Sequence, residues 1–281
     1  MPVTFKPFAY VAAAVLLLPF RAAAAEADLQ TSDTAALERL VSDYALGFHT
    51  GNADLMLGTV HRDLSKRGVD RNFRGLGVQT MAWLEGESLR QMGRAYNQAG
   101  EFDETTQRRA VILDISGDVA VVELLAGDWY DVFTAVKIDG EWTILDCVWG
   151  LLPEWEPARV DAGEAAEVRA VLSTFAAAVQ SGDDAALDRV LDPISQFRTL
   201  SRGAGHTVVH AQTRDQIYNA DHDARDPGAQ DQEIEVLNAS GVTAVGKIVR
   251  GRITYWVQLL RFNGRWAVVN VHWRSTADGA A

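Results

Sequence analysis

The chain reads as α+β, with two tandem cone-shaped domains that each pack helices on a curved antiparallel sheet. Three observations carry this. An apolar helical face recurs with the same spacing in both halves, and each half closes in two strand-like runs around a two-residue turn. The length of 281 residues also suits two domains of about 100–150 residues rather than one. A hydrophobic content of 48%, with 9% aromatics, is enough to bury two cores.

Taken in order, the chain opens with Lys6 as its only early charge, then a nearly unbroken apolar run from Phe8 to Phe20, then Arg21 and Ala23-Ala24-Ala25. A basic start, a short apolar core and a small-residue end predict a secretory signal over residues 1–25, cleaved after Ala25 or Ala27. The run is shorter than the ~20 residues a membrane span needs. The expected destination is the periplasm or the exterior, with no further membrane association. Without residues 1–25, the remaining 24 Lys and Arg against 38 Asp and Glu leave a formal charge of −14. That balance argues against nucleic acid and anionic membranes as partners, since both attract basic patches. The single cysteine, Cys147, sits in an apolar run and reads as a buried thiol.

The first helical face is Leu37, Leu40, Val41, Tyr44, Ala45 and Phe48; Val168, Val171, Leu172, Phe175, Ala176 and Val179 repeat it. Both helices end at a glycine, Gly51 or Gly182, followed by Asn52 or Asp183 as the cap of a second short helix. A middle helix is expected over Gln79–Gln98 and a shorter one over Arg214–Ala224. Strands follow at Val111–Ile115 and Val119–Leu125, and again at Ile234–Leu237 and Val242–Val249. Asp139-Gly140 joins Tyr130–Ile138 to Glu141–Trp149, and Asn263-Gly264 joins Thr254–Phe262 to Arg265–Trp273. The domains are therefore set at 32–150 and 164–275, with a linker at 151–163. The two are expected to pack sheet against sheet as an intramolecular pseudo-dimer, an arrangement open to further homo-oligomerisation.

Tyr44 to Gly51, His61-Arg62-Asp63-Leu64-Ser65-Lys66-Arg67 and Lys137-Ile138-Asp139-Gly140-Glu141-Trp142 together resemble the nuclear transport factor 2-like (NTF2-like) superfamily. Within it they resemble the putative lumazine-binding and SnoaL-like groups. The second half carries Asp192-Pro193-Ile194-Ser195-Gln196-Phe197-Arg198 where the first has the His-Arg-Asp stretch. The resemblance implies a cystatin-like cone with a pocket, on a scaffold that hosts isomerases, cyclases, dehydratases and non-catalytic binders. Tyr44 resembles the oxyanion-binding tyrosine of ketosteroid isomerases, and Asp131 lies near the acid that works beside it. That chemistry uses a phenol, a protonated acid and a carboxylate base. The base position falls at Gly68, with Asp70 the nearest carboxylate; the second half has Phe175 in place of the tyrosine.

Simple hairpin arithmetic places Lys137 opposite Trp142, Phe133 opposite Asp146 and Asp131 opposite Val148, so that Asp131, Phe133, Asp146 and Val148 share a face. The same count places Val257 opposite Asn270 and Tyr255 opposite His272, gathering Tyr255, Asn270 and His272 on one face as polar groups of an apolar pocket. Asp131 and Asp146 so placed are either a proton-sharing pair or residues turned to solvent or the partner sheet. Tyr44 is either a core tyrosine or a donor. His61-Arg62-Asp63 with Lys66-Arg67 is either a catalytic cluster or, the leading reading, a surface loop bridging helix and sheet. His206 and His210 have no accompanying Glu motif, so no metal and no cofactor is expected. The leading functional reading is an exported small-molecule binder with an apolar pocket in one or both domains. The alternative is an isomerase or cyclase using Tyr44 and Asp131 with Asp70 as base.

Overall fold

A computed structural model of the chain describes residues 18–70, 79–151, 162–203, 205–213, 216 and 232–275. Most of the expected export signal, most of the 151–163 linker and all but Gln216 of the expected helix at Arg214–Ala224 lie outside the described residues.

The first domain opens with α1 (Leu18–His49), whose predicted stripe buries Leu37, Val41, Tyr44, Ala45 and Phe48. Gly51, at φ 67, turns the chain, and the Asn52 side chain accepts the Leu55 N–H at 3.1 Å to start α2 (Ala53–Gly58). Then come β1 (Val60–Asp70), β2 (Thr80–Leu84), α3 (Gly86–Ala95), β3 (Arg108–Ser116), β4 (Val119–Ala126), β5 (Trp129–Ile138) and β6 (Glu141–Leu151). The second domain repeats the order, less the middle helix, among the described residues. It runs α4 (Ala162–Ser181), α5 (Asp184–Val190), β7 (Leu191–Gly203), β8 (His206–Gln212), β9 (Gln232–Ser240), β10 (Thr243–Arg250), β11 (Ile253–Phe262) and β12 (Arg265–Ser275). The sheet orders are β2-β1-β6-β5-β4-β3 and β8-β7-β12-β11-β10-β9, the same topology twice.

Three expectations need correction. The sheets are mixed rather than wholly antiparallel, because β1 runs parallel to β6 and β7 parallel to β12. The expected helix at Gln79–Gln98 begins as a strand: Thr80–Leu84 pairs with β1, and only after Gly86, at φ 49, does α3 begin. The His61–Arg67 stretch is no surface loop. It lies within β1, where Lys66 and Arg67 pair with strands on both sides and Ser65, Lys66 and Arg67 are buried, while Arg62 and Asp63 stay exposed.

The hairpins form where the sequence puts them, with Asp139 and Asn263 in left-handed conformations at φ 51 and φ 50. Their registers then slip. Lys137 faces Trp142 and Ala135 faces Ile144, but Thr134 faces Asp146, Phe133 faces Cys147 and Asp131 faces Trp149, leaving Leu145 as a bulge. The second hairpin bulges at the equivalent residue. Leu259 faces Val268, yet Gln258 faces Asn270, Trp256 faces His272 and Tyr255 faces Trp273, with Val269 extra. One inserted residue sends every later side chain to the other face. The two sheets meet face to face over a shared core. Val121, Val132, Leu145 and Val148 come from one, and Val245, Trp256, Leu260 and Val269 from the other.

Candidate ligand site

The slip divides the predicted site residues between two places. On the helix-facing side of the first sheet, Asp131, Phe133, Cys147 and Trp149 lie together under α1. Lys66 joins them from β1, where it is in register with Cys147. The Lys66 ammonium bonds Asp131 Oδ1 at 2.5 Å and reaches Cys147 Sγ at 3.5 Å; the Trp129 indole donates to the other Asp131 oxygen at 3.0 Å. Lys66 also lies 5.4 Å from the Tyr44 ring and 5.7 Å from that of Trp149. Phe133 packs edge-on against Tyr44, 5.1 Å between centroids. Tyr44 and Asp131 are fully buried and Lys66 nearly so.

The electrostatics follow from this enclosure. Burial opposes a charged ammonium, but the Asp131 carboxylate at its side, with Cys147, outweighs it and raises the Lys66 pKa. Burial, followed by the charges of Asp131 and Cys147, holds the Tyr44 phenol well above its usual value, so it stays a protonated donor. The same burial, with Asp131, pushes the Cys147 thiol up. Among the described residues, the Tyr44 hydroxyl and the Trp149 indole N–H are buried without a hydrogen-bond partner. A buried donor left unpaired costs about 1–3 kcal/mol, and here two lie beside one cation.

The isomerase comparison meets departures here. Asp131 already has donors on both oxygens, the Lys66 ammonium and the Trp129 indole. At Gly68, a Cβ would lie 2.2 Å from the Trp149 indole, so the space for a base side chain is already filled. Asp70 ends β1 opposite Thr80, and its side chain lies outside the described residues.

Asp146, Asn270 and His272 lie between the two sheets instead. Asp146 does not approach Asp131; it pairs with the Arg198 guanidinium between the sheets, because the Leu145 bulge turned it over. Asn270 and His272 part from Tyr255 for the same reason. Tyr255 packs on Phe175 on the helix side, 6.1 Å between centroids. Asn270 accepts from Ser65 at 2.9 Å across the interface and donates to Gln258 of its own sheet at 2.9 Å. His272 sits beside Trp256, 6.0 Å away, and burial lowers its pKa to about 3.

Sequence reasoning missed Lys66, Trp129 and Trp149 as partners of Asp131. It also missed a reciprocal pair at the interface. Arg67 Nη1 donates to the carbonyl of Val269 at 3.4 Å, and Arg198 Nη1 to that of Leu145 at 2.9 Å. Each arginine thus clasps the bulge of the other domain. The available signal was the equivalence of Arg67 and Arg198, the last residues of the two matched stretches.

Residues 32–150 match the family model described as putative lumazine-binding. Among solved structures, the chain is similar to an NTF2-like protein of unknown function from Shewanella baltica OS155, at 18% identity over 44% of this chain and 97% of that one, TM-score 0.34. It is similar to a cystatin-like-fold protein from Nostoc punctiforme PCC 73102, at 18% identity over 43% and 92%, TM-score 0.33. A putative ketosteroid isomerase from Shewanella frigidimarina NCIMB 400 matches at 19% over 37% and 92%, TM-score 0.24. No curated protein matched. The interior differs between the two domains: Tyr44 and Lys66 of the first correspond to Phe175 and Phe197 of the second, stacked 6.4 Å apart in an apolar cluster.

Proposed function

We propose that the protein is an exported, non-catalytic binder of a small planar ligand, held in its first domain. The observation that carries this reading is the pair of buried, partnerless donors, Tyr44 Oη and Trp149 Nε1, flanking the Lys66 ammonium. A planar heterocycle with ring carbonyls, such as lumazine, offers the acceptors these donors lack and a π-face for the surrounding aromatic rings. Trp149 is the half-buried member of the set and the natural reporter of entry. Binding is favoured over isomerase chemistry because Asp131 is held by Lys66 and the Gly68 position cannot carry a base. Export rests on the basic, apolar and small-residue sequence of residues 1–25.

The test is a tryptophan-fluorescence and calorimetric titration with lumazine, beside native mass spectrometry of protein from a periplasmic fraction. Saturable 1:1 binding, weakened roughly tenfold in Tyr44→Phe by loss of one buried hydrogen bond, is the expected result. Protein that carries no small molecule and does not respond to millimolar lumazine would sink the reading. The intact mass reports export directly, since cleavage after Ala25 or Ala27 removes 25 or 27 residues.

A further inference from the structure

A second site stands apart from the first, in the cleft where the ends of the two sheets meet. The cleft encloses about 1010 Å³, and its lining includes Trp83 and Glu85 on one side and Ile194, Ser195, Gln196 and Arg198 on the other. Two of these, Trp83 at 43% and Ile194 at 39%, are large apolar residues exposed to solvent. Behind Trp83 lies Arg67, its guanidinium 4.9 Å from the indole ring. Arg67 is wholly buried and Arg198 is 3% exposed.

The duplication gives these arginines equivalent places but unequal partners. Arg198 has a carboxylate, Asp146. The residue matching Asp146 in the second hairpin is Asn270, a neutral amide. Arg67 therefore makes do with neutral acceptors, the Ser65 hydroxyl at 3.1 Å and the Val269 carbonyl at 3.4 Å. Among the described residues, Arg67 Nη2 and Arg198 Nε are buried without any hydrogen-bond partner. A buried cation without its own carboxylate is costly, and an arginine fork is shaped to take a carboxylate. The rim acids are engaged elsewhere: Asp63 lies 3.7 Å from Arg62, and Glu87 lies 3.5 Å from Arg90. Asp192, Asp146 and Glu85, in that order, add negative potential at Arg67, and none forms an ion pair with it among the described residues.

The geometry points to the inter-domain cleft as a binding site for a small organic carboxylate with an apolar, planar body. Its carboxylate enters at Arg198 in the cleft wall, with Arg67 behind Trp83 as the second positive charge, and its body lies between Trp83 and Ile194. This site is independent of the one proposed in the first domain.

The probe is 2-naphthoate, titrated into the full chain by calorimetry, with neutral 2-naphthamide as its isostere. Naphthoate is expected to bind 1:1 and naphthamide at least about tenfold more weakly, the loss of a charge-assisted pair. Trp83→Ala, which removes an exposed side chain, is expected to weaken naphthoate by a similar factor through loss of the stacking face. Asn270→Asp restores a carboxylate one hydroxyl away from Arg67; it is expected to melt at or above the wild-type temperature and to lose naphthoate binding. Equal affinity for the acid and the amide, no saturable binding, or a folded Asn270→Asp that binds as well as wild type would each overturn the assignment.

Discussion

Replacing Asp131 with asparagine leaves the Lys66 ammonium buried with no formal counter-charge. Breaking one side of a buried ion pair costs about 3–5 kcal/mol, against a total stability of about 5–15 kcal/mol. Here the upper half of that range is expected, since Lys66 is 6% and Asp131 0% exposed at the side chain, and little else than Cys147 and two aromatic faces remains to hold the charge. With a urea slope of about 2 kcal/mol per molar, the unfolding midpoint falls by roughly 2 M. The pH dependence is sharper than the size. In the wild type the Lys66 pKa is raised, so its stabilisation is fully present below the unfolded lysine pKa and fades as pH rises through the folded value. In Asp131→Asn, burial is opposed by Cys147 alone and is expected to lower that pKa below the unfolded one. The unfolded chain then holds the extra proton, and stability rises with pH up to the unfolded lysine pKa. Urea denaturation followed by tryptophan fluorescence from pH 7 to 10.5, read as the difference between the two proteins, shows this crossing. A Lys66→Met/Asp131→Leu pair should recover most of the loss, because apolar residues of similar volume replace buried ion pairs at little cost. A single-variant loss under about 1 kcal/mol, the level of an exposed pair, or a difference that does not shrink as pH rises, would refute the argument.

Two other outcomes follow from neighbouring features. Gly68→Ala forces a methyl against the Trp149 indole, 2.2 Å from the ideal Cβ, and is expected to cost about 1–3 kcal/mol in chemical denaturation, as overpacking does. His272 is buried neutral, its pKa lowered to about 3 by burial; the unfolded chain takes up a proton that the folded one refuses, so stability drops as pH falls from 6.5 toward 3. His272→Asn should flatten that part of the acid-unfolding profile.

Much of the architecture was legible in the sequence, and what was not has a local cause. The repeat is visible because both copies bury the same stripe of a helix, and the hairpins are visible because Asp139-Gly140 and Asn263-Gly264 suit the left-handed turn they adopt. The bulges are silent, since Leu145 and Val269 are ordinary apolar residues inside apolar runs and carry no glycine or proline to mark them. That silence reassigned Asp146, Asn270 and His272 from pocket to interface. Strand β1 was hidden for a different reason. Its two faces bury Lys66 on one side and Ser65 with Arg67 on the other, so the alternation of apolar and polar residues that betrays a half-buried strand is missing. The ion pair at Lys66 and the clasp at Arg67 were obscured together by that one misreading.

The reciprocal grip of Arg67 and Arg198 on the opposite bulges has an evolutionary corollary. Two identical subunits related by a twofold axis must carry the same residue on both sides of it, so a homodimer cannot pair one arginine with an acid and its mate with an amide. Joining the copies in one chain lifts that obligation. Position by position, Asp146 against Asn270, Lys66 against Phe197 and Tyr44 against Phe175, one half keeps charge or a hydroxyl where the other gives it up. Each half stabilises its twin through the same clasp, leaving its neighbour's interior free to drift toward a different task.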